Sequence, residues 1–158
     1  MTTAVEDLIV ASRMTYRKKL ALFIRKTTET PKEVLPFLPA VTLLQSPMIS
    51  VTGAPTDRKR ASSKSYENTF SFGVRNIVLY SAPNNTKWLP ENAEDMLDRL
   101  EYEVSIALLL ADMQSEANGW TSITREGRSS FDFVQDSGVK WLSETIPVVM
   151  EVGDEQKG

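Results

Sequence analysis

Residues 90–119 read PENAEDMLDRLEYEVSIALLLADMQSEANG. Met96, Leu97, Leu100, Val104, Leu108 and Ala111 recur at three- and four-residue steps, which places them on one face of a helix. Pro90 suits a first turn, and Asn92 with Asp95 three residues on has the form of a capping box. Glu91, Glu94 and Asp95 put negative charge at the positive end of the helix dipole. Asn118-Gly119 is a left-handed stop. The spacing predicts one long amphipathic helix. The remaining chain must supply the surface it packs on.

Working outward, residues 3–26 predict a second amphipathic helix. Thr3 and Glu6 form its capping box. Val5, Leu8, Ile9, Tyr16, Leu20, Phe23 and Ile24 share a face, and Arg13, Arg17, Lys18 and Lys19 sit mostly off it. Residues 36–52, PFLPAVTLLQSPMISVT, read as an extended segment. Pro36, Pro39 and Pro47 remove backbone donors, which points to an edge or broken strand. Residues 53–65, GAPTDRKRASSKS, read as a loop. Its uses would be contact with phosphate, an arm reaching a neighbouring subunit, or plain solvation.

Residues 66–82, YENTFSFGVRNIVLYSA, give the clearest strand. Phe70, Phe72 and Val74 alternate with polar residues, then the phase slips to Ile77 and Leu79, predicting a bulge near Gly73 to Asn76. After Gly119, four short strands are expected: 120–124, 131–134, 139–142 and 145–152. Pro147 argues for an edge position in the last. The final GDEQKG reads as a frayed polar tail. Together these predict an α+β fold: a mainly antiparallel sheet with an N-terminal helix and one long helix packed on it. A single domain is expected over residues 1–152, with 153–158 as the tail.

Composition narrows the chemistry. The chain has 158 residues, 41% hydrophobic and 25% charged, enough for a real core. Its longest apolar run, Ile106 to Ala111, is far short of a membrane span. The first residues lack the basic leader of a secretory signal, so the Asn84-Asn85-Thr86 sequon is read as chance. There is no cysteine and no histidine. That removes thiolate chemistry, disulfides, histidine general bases, and zinc sites built on either residue.

The carboxylates Glu94, Asp98 and Glu101 remain as candidates for a divalent cation or acid–base work. Asp95-Arg99 at i,i+4 favours an ordinary solvated face instead. Ser62, Ser63 and Lys64 are a faint Ser-Lys possibility. Arg58, Lys59, Arg60 and Lys64 with Tyr66 form a small basic and aromatic cluster, a cheap nucleic-acid signal. None of these patterns is a motif, so no catalytic residue, metal or cofactor is expected.

Charge is unevenly spread. Residues 1–75 hold 12 Lys/Arg against 6 Asp/Glu, net +6, and residues 76–158 hold 6 against 15, net −9. Opposite halves of this kind suit either a nucleic-acid surface or a head-to-tail contact between identical subunits.

The order of elements resembles the tail terminator (tail completion) proteins of long-tailed bacteriophages. The resemblance is carried by FLPAVTLL (37–44), FSFGVRNIVLYS (70–81) and ENAEDMLDRLEYEVSIAL (91–108), followed by strands ending in IPVVMEV. In that family a similar strand precedes a helix with a related stretch, here Leu97, Asp98, Leu100 and Val104. The long 53–65 loop departs from smaller members.

The resemblance implies a six-membered ring of identical subunits that caps the tail tube, ends its growth and offers a joining surface to the head-side connector. Duplex DNA would pass through the hole without specific binding. The expected partners are other copies of the chain, the tube protein and the connector or neck protein, with no membrane. The expected location is the virion, after synthesis in the host cytoplasm. The family supplies no catalytic residue. Within the ring, Arg58, Lys59, Arg60 and Lys64 are the basic interface candidates, and Asp95, Asp98 and Glu101 the acidic ones. Other readings are a different neck component, a nucleic-acid-binding accessory protein, and a carboxylate-dependent hydrolase.

Overall fold

The computed structural model describes residues 4–54, 58–60 and 66–154, with side chains for 13–54 and 69–153. Two 16-residue strands form its spine, β4 (Tyr66–Ser81) and β7 (Val139–Asp154). They pair antiparallel over almost their whole length, from Tyr66 opposite Asp154 to Ser81 opposite Lys140. Each is flanked by shorter strands on its outer side. β2 (Met48–Gly53) and β3 (Arg58–Arg60) line β4, and β5 (Ser122–Arg125) and β6 (Ser130–Asp136) line β7. β1 (Glu33–Leu35) adds a parallel strand beside β2. The fold is therefore α+β with a mostly antiparallel sheet, and two long helices, α1 (Ala4–Thr27) and α2 (Pro90–Met113), lie on one face.

α2 buries the expected stripe: Leu97, Leu100, Val104, Leu108 and Ala111 are in the core, and Met96 packs at its margin. Its start differs from the sequence reading. Leu89 precedes the helix, and Asn92 reaches back so that its Oδ1 accepts the Leu89 N–H at 2.9 Å. Asn92 is thus the returning half of a capping box, inside the first turn. The helix also ends sooner, at Met113. A short turn of helix, α3 (Ser115–Asn118), continues to Gly119, whose φ of 85° provides the left-handed stop.

β4 is not bulged at Gly73 to Asn76; its register with β7 runs unbroken until Leu79/Ser81. The phase slip has another cause. Phe70, Phe72, Val74 and Val78 face the helices, while Ile77 is buried on the opposite face beneath Leu38, Pro39, Val41 and Leu44. A strand covered on both sides loses its alternation. The covering segment is a loop with a 3₁₀ turn at Val41–Leu43, where an extended stretch was expected. Pro36 and Pro39 cannot donate to a ladder, so pairing starts only after Pro47. β2 then lies between β1 and β4 and is not an edge. β1 itself has no sequence signal. Part of the presumed 53–65 loop is strand β3.

The two strands expected at 139–142 and 145–152 are one, and Pro147 sits in its middle. β5 ends opposite Val148 and β6 begins opposite Thr145, so Pro147 lies at the seam between them. Its carbonyl accepts from Glu126 N–H at 3.0 Å on that side. The missing N–H would point the same way, into the gap, where no ladder bond is lost. β7 also continues through Gly153 and Asp154, so the presumed tail begins later, and 155–158 lie outside the described residues. Ser137 and Gly138, both with positive φ, make the two-residue turn joining β6 to β7.

α1 is antiparallel to α2. Its Tyr16 hydroxyl donates to the Gly119 carbonyl at 3.2 Å, and its C-terminal end meets the middle of α2. There Glu103 accepts the backbone N–H groups of Glu29 at 2.7 Å and Thr30 at 3.0 Å. Burial pushes this carboxyl up, but those bonds, one from the Thr30 side chain and the charge of Arg99 outweigh it. The net result lies below the usual 4.5. A carboxyl lowered in the folded state adds stability that is complete above its unfolded value and is lost as pH falls through its folded one. Glu103→Gln is therefore expected to cost about 1 kcal/mol near neutral pH. Denaturant titrations of both proteins should converge as pH drops below 4.5; a gap independent of pH would refute this role.

Candidate subunit interface

The structure puts the acidic and basic candidates at opposite ends of the sheet. Asp95 and Asp98 are exposed with Glu91 and Glu94 on the N-terminal half of α2. That half lies over the Leu79 end of β4, where Trp88, just before α2, donates its Nε1–H to the Leu79 carbonyl. The C-terminal end of α2 lies over the other end: the Asp112 carboxylate accepts Ile123 N–H, and Ile123 pairs with Met150, itself opposite Phe70. β3, with Arg58, Lys59 and Arg60, pairs with Tyr66–Asn68, at that same far end. At about 3.3 Å per strand residue, roughly 30 Å separates the two groups. They cannot neutralise each other within one subunit. Lys64 lies outside the described residues, as do Ser62 and Ser63, so the Ser-Lys possibility has no described geometry.

Glu101 differs from the other two acids. It forms an ion pair with Arg125 of β5 and accepts from Ser105 Oγ at 3.0 Å, and Arg125 also donates to Ser105 at 3.2 Å. This links α2 to β5 inside the subunit. Both side chains remain about one-third exposed, and such pairs are worth little in water. Asp95-Arg99 does not pair; Glu101–Arg125 is the ion pair present among the described residues. No three carboxylates there gather into a metal-binding group.

Two of the cations placed off the apolar face of α1 hold it to the rest of the fold. Arg13 Nη2 donates to the Ala54 carbonyl and Arg17 Nε to the Pro36 carbonyl, each at 2.9 Å. Both tie α1 to loops at the sheet margin. Their half-burial could not be read from helical spacing. Lys18, Lys19, Arg25 and Lys26 stay exposed.

A feature missed in the sequence is a row of apolar side chains on the outward side of α2: Tyr102, Ile106, Leu109 and Met113. The signal was present as a 4-3-4 spacing. Ile106 and Leu109 fall in the continuous apolar run Ile106 to Ala111, which the helix divides between its buried stripe and its outward face.

Among the described residues no helix is long and apolar enough to cross a membrane. No known protein family matches the chain, and no curated protein is significantly similar to it.

Proposed function

We propose that this protein is a non-enzymatic structural component of a virion, of the tail-terminator type. Identical subunits form a ring on the end of a phage tail tube, stop its growth and present a joining surface to the head-side connector, with DNA passing through the hole. The observation that carries this reading is the charge separation. Basic residues of β3 and acidic residues of the α2 N-terminal half occupy opposite ends of a long, stiff strand pair. Unlike ends of that kind favour a heterologous contact, which repeats head to tail and closes as a ring when the rotation allows. The resemblance to terminators in element order supports the same reading.

Native mass spectrometry and negative-stain imaging of a concentrated sample test it. Six-fold rings with a hole wide enough for duplex DNA are expected. A monomer that binds DNA with an affinity falling steeply in salt would overturn the reading in favour of a nucleic-acid-binding accessory protein.

A further inference from the structure

The outward face of α2 changes character halfway along. Its first half is acidic. Its second half carries Tyr102, Ile106, Leu109 and Met113, which are 66%, 40%, 58% and 73% exposed. Steps of four, three and four keep them in one row, directly opposite the buried stripe. The row is roughly 16 Å long. Single apolar residues on a surface are ordinary, but a contiguous row of four large ones marks an interaction site. Acids flank it: Asp95 and Asp98 before it, Asp112 beside its last member and Glu116 just beyond it, all exposed.

α1 presents the complement. Leu22, 46% exposed, stands at the centre of its outward face. Lys18 and Lys19 lie on one side of it and Arg25 and Lys26 on the other, all exposed.

We propose that the apolar row of α2 is a self-association surface, and that its occupant is the outward face of α1 from a second copy, lying antiparallel on it. Electrostatics selects this unlike pairing over the like ones. Antiparallel α2 on α2 would bring Asp98 of one copy against Asp112 and Glu116 of the other. α1 on α1 would stack four cations on four. With α1 on α2, Leu22 meets the middle of the row at Ile106 and Leu109, while the flanking cations reach the flanking acids. Lys18 to Lys26 spans roughly 12 Å and Asp98 to Asp112 roughly 21 Å of helix axis. The long stems of Lys and Arg close the few ångströms left at each end. The inference goes beyond the ring reading, because the contact would serve a dimer as well as a ring.

The test is sedimentation velocity of the full chain across a wide concentration range, with circular dichroism to confirm that each variant is folded. Wild type is expected to associate as concentration rises. Leu109→Glu, at an exposed site, should weaken association about tenfold or more. Arg25→Glu with Lys26→Glu should do the same, and adding Asp95→Lys with Asp98→Lys, the acids those two cations face in this pairing, should restore most of it. A wild type that stays monomeric, association unchanged by Leu109→Glu, or a charge swap that fails to rescue would each overturn the proposal. Rings that persist in Leu109→Glu would sink this contact and leave the ring reading standing.

Discussion

Phe70→Ala is expected to destabilise the fold by about 3–5 kcal/mol. Phe70 is fully buried at the level where β4, β7 and α1 meet. Its ring stacks on Tyr16 of α1 at 6.2 Å and lies 6.3 Å from Phe72. Met150, also fully buried, is its partner across the ladder on β7. Truncation removes a large apolar group from water-free surroundings and leaves a cavity walled by strands that pair along their length, so little collapse can fill it. Domains of this size hold only about 5–15 kcal/mol in total. The loss would therefore take a large share of it. Urea titration reads the effect as a fall in midpoint at an unchanged slope. Phe70→Leu, which keeps most of the volume, should cost less than about 1.5 kcal/mol. An unchanged midpoint for the alanine variant would mean that Tyr16 and α1 do not rest on β4 as described.

If the proposed ring forms, reversing Arg58, Lys59 and Arg60 to Glu is expected to abolish its assembly, or to leave it only at high salt. The change moves β3 from three positive charges to three negative ones, against a partner surface carrying Glu91, Glu94, Asp95 and Asp98. In the proposed ring, attraction would become repulsion at every contact, and like charges held together across an interface cost several kcal/mol. Salt should weaken the wild-type assembly and partly rescue the reversed one, since screening acts on both. Negative-stain counts of rings at low and high salt would read this directly. Rings that form equally well in the variant at all salt concentrations would remove β3 from the contact, and with it the charge argument for head-to-tail closure. The core is not at risk in this variant, because β3 is three residues at the margin of the sheet.

α2, most of β4 and the left-handed stop at Gly119 were legible because each rests on local physics. An apolar residue every three or four positions can be satisfied only by a helix on a surface. Gly119 and Gly138 mark backbone that other residues resist. The absence of histidine and cysteine, and the opposite charges of the two halves, belong to the sequence outright, as does the mixed α+β class. What covers a surface is not local. Ile77 looked like a bulge because its burial comes from a loop some thirty residues earlier. Pro147 looked like an edge because its missing donor is harmless only at the seam between β5 and β6, which the sequence does not display. Glu101 looked like its neighbours Asp95 and Asp98 until β5 placed Arg125 beside it, and the row holding Leu109 stands out only once the other face of α2 is seated on the sheet. The sequence by itself determined the two long helices, the strand character of 66–81 and how charge divides between the halves, since periodicity and composition act within a few turns of chain. Only the tertiary structure decided which side chains stay exposed for a partner, since exposure depends on packing between residues far apart in sequence.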